Sequence, residues 1–212
     1  MAVFLTVVLT VYTLTNLYIF TRGWQALEGA SFLKPWYIGL FGLLFLSYIV
    51  GRLLMVVAPG TMSSIMIWLG SFWLAFMLYF FIIVLLLDIL RLANHFLPFF
   101  PAILTTAWVK TKLIALMASV GLVLLLVVAG TINAYHPRLR TLELTIPKKA
   151  GPLKELKIMM ASDIHLGTIV GRIRFSRMVE TINAQNPDII LLAGDVVDED
   201  IEPVIRLNLG EM

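Results

Sequence analysis

The first 135 residues consist of long apolar runs separated by short polar breaks, and the pattern changes after them. Four runs are long enough to cross a bilayer, because a spanning helix needs about 20 mostly apolar residues. They cover residues of about 3–20, 36–57, 62–87 and 113–132. The pattern therefore predicts an α-helical membrane bundle of four transmembrane helices in residues 1–135. Four crossings would place both ends of this region on the same side of the membrane.

The borders of these runs carry residues that are typical of membrane interfaces. Trp24, Trp36 and Trp108 lie near segment ends, where amphipathic rings favour the interface. Pro98 and Pro101 break helix between the third and fourth runs, and their apolar neighbours predict a turn that rests in the interface or packs on the bundle. The basic residues divide equally between the two predicted sides, so the orientation stays open.

Polar residues are rare inside the apolar runs. Arg52 lies near the end of the second run, and we expect its side chain to extend to the interface. Asp88 and Arg91 are spaced i, i+3 and are expected to pair. The runs contain no cluster of polar residues at mid-span, which counts against a transporter or channel. A transport module with the polar region as an accessory remains an alternative. Three glycines could allow close helix packing, namely Gly39, Gly42 and Gly51.

The composition agrees with a membrane protein that carries a separate polar region. Hydrophobic residues make up 60% of the chain and charged residues 14%, whereas soluble domains are roughly 45–50% apolar. The net charge of +3 is small, and the basic residues lie mainly beside apolar runs. This favours contact with the lipid bilayer and does not predict binding of nucleic acid. The absence of cysteine excludes disulfides and thiolate metal ligands.

Residues 136–212 predict part of an α/β domain. Leu142, Leu144 and Ile146 alternate with polar residues, which predicts a half-buried strand. Residues 156–161 form a short apolar run that predicts a buried strand. Residues 189–194, "IILLAG", predict a further strand buried on both faces.

A helix is predicted between the last two strands. Its apolar face consists of Phe175, Met178, Val179 and Ile182, and the Asn186–Pro187 pair ends it. Strand, helix and strand in this order form a βαβ unit with parallel, neighbouring strands. Sites in such sheets form beyond the carboxyl ends of the strands. A last helix is predicted to begin in residues 204–209.

Metal-ligating residues follow both of the paired strands. "SDIHLG" places Asp163 and His165 after the first strand, and residues two apart on an extended stretch share a side. "AGDVVD" places Asp195 after the second strand, where Gly194 would permit a tight turn. Carboxylates with an imidazole suit Mn, Fe or Zn. Asp198 is expected to orient a ligand rather than to bind metal.

These two blocks, "DIHLG" and "GDVVD", resemble the first two motifs of the calcineurin-like metallophosphoesterase superfamily. The arrangement after a helical anchor resembles bacterial multi-pass enzymes of that class. The resemblance covers residues 141–212 and implies that Asp163 and His165 bind one divalent metal ion. It also implies that Asp195 bridges two ions, and that a metal-activated water cleaves a phosphomonoester, phosphodiester or pyrophosphate.

The later motifs of that superfamily, Gly-Asn-His and Gly-His-x-His, are not found in these 212 residues. We therefore expect the chain to correspond to the N-terminal portion of a membrane-anchored phosphoesterase and to be inactive alone. The bacterial cytoplasmic membrane is the expected location, and the substrate could be lipid-linked. The alternative is a non-catalytic four-helix membrane protein with a degenerate phosphoesterase stub.

Overall fold

The computed structural model describes residues 2–147, 151–152, 154–198 and 200–211. The chain divides into two compact units, Met1–Thr131 and Ile132–Met212. The first unit is helical and the second contains a small sheet. The fold class predicted from the sequence, a helical membrane region followed by an incomplete α/β domain, is therefore confirmed.

The long helices are α1 (Ala2–Ala26), α2 (Lys34–Val57), α3 (Thr61–Phe96) and α5 (Trp108–Ala134), with a short α4 (Ala102–Thr106) before α5. Three stretches of the described residues are long and apolar enough to cross a membrane. They are Ala2–Val57, Thr61–Phe96 and Trp108–Ala134. The first stretch contains both α1 and α2, so the two predicted crossings at 3–20 and 36–57 correspond to two helices inside one continuous helical stretch.

The chain reverses direction between α1 and α2. The 3-10 segment Leu27–Leu33 joins them, and Ala30 leaves helical geometry there with φ −139° and ψ 52°. The rings of Phe20 and Tyr37 stack with centroids 5.3 Å apart, and those of Tyr12 and Phe45 stack at the same distance. Moving back along α1 from Phe20 to Tyr12 therefore corresponds to moving forward along α2 from Tyr37 to Phe45, so the two helices form an antiparallel hairpin.

Small residues allow α2 and α3 to pack closely. A Cβ added at Gly51 would lie 2.7 Å from the backbone nitrogen of Ile67, and one at Gly70 would overlap the backbone of Tyr48. The predicted role of Gly51 in close packing is thus supported. An added Cβ at Gly39 or Gly42 would meet nothing within 4 Å in the described part of the chain, so the prediction is wrong for those two glycines.

One buried polar cluster connects α1 to α3. Asn16 is 2% exposed and accepts a hydrogen bond of 2.9 Å from the indole Nε1 of Trp73. Its amide nitrogen donates to the carbonyl of Tyr12 at 2.8 Å and approaches the sulfur of Met77 at 3.0 Å. Asn16 lies inside the first apolar run and was not identified from the sequence as an interhelical contact. Since both ends of the Asn16 amide have partners, the cluster serves helix association.

The end of α3 differs from the prediction. The third apolar run ends near residue 87, whereas α3 continues to Phe96. Asp88 and Arg91 pair as predicted, with Arg91 Nη1 3.5 Å from Asp88 Oδ1. Beyond Phe96 the backbone amides of Phe99 and Phe100 donate to Asn94 Oδ1, at 2.8 and 2.7 Å, which closes the proline-containing turn. Arg52 is half-buried in α2, and its extension to the interface stays a prediction.

The second unit contains a two-stranded parallel sheet. Its elements are β1 (Ile158–Ser162), α6 (Arg172–Asn183), β2 (Ile189–Ala193) and α7 (Glu202–Arg206), followed by a 3-10 turn at Leu209–Glu211. The strands pair in register from Ile158 with Ile189 to Ser162 with Ala193. The predicted βαβ unit with parallel neighbours is thereby confirmed.

A small apolar core lies beside this sheet. Ile164, Leu166 and Leu209 are buried, and Phe175 and Met178 from α6 pack against them. Ile182, from the same face of α6, is 9% exposed. The helical periodicity therefore identified the buried face of α6 correctly. The core holds the segments that follow β1 and β2 in place.

Two strand predictions are wrong. Residues 142–146 form no strand in the described structure, and Leu142, Leu144 and Ile146 are 70–78% exposed. Alternation alone does not make a strand, because the backbone also needs a neighbouring strand to pair with. Both paired strands were expected to be buried, yet Ile189–Ala193 is exposed along its length and β1 alternates between exposed and half-buried residues. The last helix was predicted to begin in residues 204–209, whereas α7 begins at Glu202 and ends at Arg206.

Candidate metal centre

The segments after β1 and β2 remain paired beyond the strands. The backbone amide of Asp163 donates to the carbonyl of Ala193 at 3.1 Å, and that of His165 donates to the carbonyl of Asp195 at 3.1 Å. Further on, Leu166 forms an isolated parallel bridge with Val197. These hydrogen bonds extend the register of the sheet into the two loops. They place the Asp-x-His segment directly beside the Gly-Asp segment.

The residues from Asp163 to Leu166 alternate between solvent and core. Ile164 and Leu166 are 8% and 5% exposed, whereas Asp163 and His165 are exposed on the other side. The prediction that the two polar side chains share a side is therefore correct. The segment is not extended as predicted, however, because Asp163 and His165 have φ of 50° and 51°. Non-glycine residues rarely adopt this region, and such strain is common at functional sites.

Three side chains converge above this edge of the sheet. Asp163, His165 and Asp195 each offer a ligand atom, and these atoms lie within 4.8 Å of one another. All three residues are exposed. Donors that surround one ion at about 2.0–2.2 Å must lie within roughly 4.5 Å of each other, so the cluster needs only a small adjustment to hold one. Two carboxylates and an imidazole form a donor set that fits Mn, Fe or Zn.

Gly194 makes room for the Asp163 carboxylate. Gly194 has φ 71°, and a Cβ added there would overlap Asp163 Oδ1 and lie 3.0 Å from its Cγ. The backbone amide of Asp195 donates to Asp163 Oδ1 at 3.4 Å. The predicted tight turn at Gly194 is present, and the missing side chain has a second role that the sequence did not reveal. The absence of a side chain lets the Asp163 carboxylate lie directly against the loop that carries Asp195.

Asp198 lies on the far side of His165. Its Oδ1 is 3.8 Å from His165 Nδ1, which is too long for a hydrogen bond but close enough for electrostatic attraction. A Cβ added at Gly167 would lie 3.1 Å from the Cβ of Asp198, so this glycine allows the approach. Sequence reasoning overlooked Gly167, although it completes the block "DIHLG". The proximity supports the predicted orienting role of Asp198, which remains a prediction.

Comparison with known families agrees with the site. The calcineurin-like phosphoesterase family matches residues 156–211, a range that begins just before β1 and includes Asp163, His165 and Asp195. The C-terminal region of the chain therefore matches the calcineurin-like phosphoesterase family, to which the two motifs showed a resemblance.

Several relatives carry the same domain. A zebrafish (Danio rerio) transmembrane protein with metallophosphoesterase domain is 36% identical over 77 residues, covering 36% of this chain and 18% of that protein. A bovine (Bos taurus) protein of the same description is 33% identical over 94 residues, covering 43% and 21%. An uncharacterized metallophosphoesterase of Campylobacter jejuni is 31% identical over 88 residues, covering 41% and 23%.

The matched segment thus spans about a fifth of the length of each of these relatives. Since they come from vertebrates and a bacterium, the comparison supports a membrane-linked phosphoesterase family without restricting it to bacteria. No solved structure matches the chain.

Proposed function

We propose that the chain contributes the first half of a dimetal phosphoesterase centre to a membrane-anchored hydrolase. The single observation that carries the proposal is the convergence of Asp163, His165 and Asp195 at the carboxyl ends of two parallel strands, within 4.8 Å. The family match over residues 156–211 supports the same reaction class. The substrates would be phosphomonoesters, phosphodiesters or pyrophosphates.

Each side chain has a separate task in this proposal. Asp163 and His165 would bind one ion, and Asp195 would bridge it to a second. Divalent Mn, Fe or Zn, when bound, would supply an activated water and neutralise charge on the phosphoryl group. The chain itself fixes the donors before any ion arrives, through the amide of Asp195 on Asp163 and the carbonyl of Asp195 on the amide of His165.

Asp198 would act on His165 rather than on the ion. Its carboxylate lies on the Nδ1 side of the ring, so an ion would be bound through the other ring nitrogen. A carboxylate in this position stabilises the ring orientation and makes the imidazole a stronger ligand. The distance of 3.8 Å would need to shorten for a full hydrogen bond.

The 212-residue chain alone is expected to have little or no activity. Three exposed donors leave most positions around two ions to water, and an open site binds metal weakly. The helices of Met1–Thr131 would anchor the protein as a multi-pass segment, and a bacterial cytoplasmic membrane is the proposed location. A bilayer anchor makes a lipid-linked phosphate a plausible substrate class.

The alternative function is a membrane protein whose phosphoesterase region no longer catalyses. The exposure of all three donors and of β2 favours it for this chain in isolation. The two hypotheses differ in whether added metal supports hydrolysis of a phosphoester. A protein that has lost catalysis would keep the fold, and its full natural reading frame would show no metal-dependent hydrolysis.

Expression of the full natural reading frame in membranes tests the proposal. Hydrolysis of bis(p-nitrophenyl) phosphate and p-nitrophenyl phosphate is measured with Mn²⁺, Zn²⁺ or chelator. We expect metal-dependent turnover that Asp195→Ala abolishes, while Asp188→Ala, outside the cluster, keeps most of it. Turnover that resists chelator, or that survives in Asp195→Ala, would contradict the proposed centre. No turnover of any phosphoester would favour the non-catalytic alternative.

A further inference from the structure

A deep groove in the membrane unit separates α5 from the other long helices. Its volume is about 960 Å³, at the upper end of the roughly 300–1,000 Å³ of ligand pockets. Apolar side chains form nearly all of its wall, and most of them come from α2, α3 and α5, among them Leu44, Phe72, Phe76, Val120 and Leu124. All lining residues belong to Met1–Thr131, so the groove is a property of this unit alone.

The charged residues of the groove gather at one end. Arg22 from α1, Asp88 and Arg91 from α3, and Lys112 from α5 line it there. Arg22 Nη2 lies 2.8 Å from Asp88 Oδ2, and Arg91 Nη1 lies 3.5 Å from Asp88 Oδ1. Two guanidinium groups therefore share one carboxylate. This end of the groove carries an excess of positive charge that Asp88 alone does not balance.

Two contacts fix the start of α5 beside this charged end. Lys112 forms an ion pair with Glu28, which neutralises the lysine. The guanidinium of Arg91 lies 4.9 Å from the ring centroid of Trp108, a cation–π arrangement. Tryptophan favours the membrane interface, so the charged end of the groove lies at head-group depth. Arg91 and Arg22 keep 44% and 37% of their side chains exposed, and a head group can reach them.

The apolar part of the groove has the depth of one leaflet. Between Lys112 and Leu124, α5 rises about 18 Å, and half of a hydrocarbon core is about 15 Å. Among the residues that line the groove, Ile114, Met117 and Leu124 are 48–68% exposed, so the surrounding bilayer has lateral access. A lipid chain that enters from the side would lie along α5 with its head group beside Arg91.

We propose that this groove binds one anionic phospholipid of the bilayer. Its phosphate would accept hydrogen bonds from Arg91 and Arg22, and one acyl chain would fill the cavity beside α5. Zwitterionic lipid would occupy the same space less tightly, because its own cation opposes the excess positive charge. Basic pockets between transmembrane helices select anionic head groups for this reason. The site is independent of the proposed phosphoesterase activity.

Quenching of tryptophan fluorescence by lipids with brominated acyl chains tests this site, since Trp68, Trp73 and Trp108 line the groove. The detergent-solubilised 212-residue chain is titrated with brominated phosphatidylglycerol or with brominated phosphatidylcholine. We expect half-maximal quenching by phosphatidylglycerol at about fivefold lower mole fraction, as one unbalanced basic residue predicts. Equal quenching by the two lipids would show that the tryptophans contact only the surrounding lipid without selecting a head group, and this result would overturn the proposal.

Two variants separate the groove from general surface charge. Arg91→Gln should remove most of the preference for phosphatidylglycerol. Lys110→Gln removes the same charge from an exposed position on α5 outside the groove lining, and should keep the preference. Equal loss in both variants would overturn the site. If Arg91→Gln loses its helical circular dichroism, Ala115→Phe decides, because it fills the groove and keeps every charge. Undiminished preference in Ala115→Phe would also overturn the proposal.

Discussion

Gly194 leaves room for the Asp163 carboxylate, and a Cβ at Gly194 would lie 3.0 Å from Asp163 Cγ. The two residues follow different strands, and the parallel register of β1 and β2 brings them together. The same glycine has φ 71°, which side chains disfavour. Turn geometry and ligand placement therefore depend on one missing side chain.

Replacement of Gly194 by alanine should weaken metal binding. The new methyl group would displace the Asp163 carboxylate, and the positive φ would add about 1 kcal/mol of strain. We expect Mn²⁺ affinity to fall at least about tenfold, a loss worth about 1.4 kcal/mol. Mn²⁺ electron paramagnetic resonance measures the free ion directly. Gly210→Ala is the matched control, because its Cβ would meet nothing within 4 Å among the described residues. Equal affinity in the two variants would show that Asp163 is not a ligand.

Replacement of Asp198 by asparagine should have a smaller effect on the same measurement. The carboxylate acts on the His165 ring across 3.8 Å and does not belong to the converging donor cluster. Loss of such a partner typically lowers metal affinity by about 10–100-fold, and the long distance favours the lower figure. Asp163→Asn should lower the affinity further. An Asp198→Asn variant as impaired as Asp163→Asn would make Asp198 a ligand instead.

The hydrogen bond between Asn16 and Trp73 should stabilise the association of α1 with α3. Asn16→Leu keeps the branched shape and removes the acceptor, and Trp73→Phe removes the donor. Interhelical hydrogen bonds in membrane proteins contribute about 0.6 kcal/mol and at most about 1.7 kcal/mol. A double-mutant cycle on the unfolding free energy in detergent should give a coupling energy in this range. Additive single effects would show that the bond contributes nothing.

Close packing of α2 on α3 should depend on Gly51 and not on Gly42. A valine at Gly51 would force its side chain against the backbone of Ile67, and overpacking of this kind costs about 1–3 kcal/mol. Gly42→Val lies on the same helix with open space around its Cβ among the described residues. Unfolding in detergent should therefore separate the two variants. Similar stabilities would mean that α2 and α3 tolerate a wider separation.

The sequence predicted the candidate site better than its supporting geometry. Asp163, His165 and Asp195 were identifiable because each follows an apolar run that predicts a strand, and parallel strands end at one edge. The positive φ of Asp163 and His165 was not predictable, since no glycine marks those positions. Gly167 was overlooked for a related reason: its effect on Asp198 arises only after both loops are folded together.

The long helices and the two paired strands followed from local sequence, whereas the strand predicted at residues 142–146 did not form. Apolar runs and Pro98 or Pro101 predicted the helical segments, because a helix satisfies its backbone within itself. A strand needs a partner, so the alternation in residues 142–146 could not establish one. The close contact at Gly70 was not predicted, because it arises only when α2 and α3 are packed together. For the same reason the sequence could not distinguish Gly51, which lies in the contact, from Gly39 and Gly42, which do not.

Binding of Mn²⁺ to the 212-residue chain is the decisive measurement for a metal site at Asp163, His165 and Asp195. Electron paramagnetic resonance titrations compare the wild-type chain with Asp195→Asn, and circular dichroism confirms that both are folded. We expect saturable binding by the wild-type chain, weak because the described residues supply only three donors, and we expect Asp195→Asn to lose it. Equal Mn²⁺ binding by the two proteins, or no saturable binding by the folded wild-type chain, would contradict this expectation.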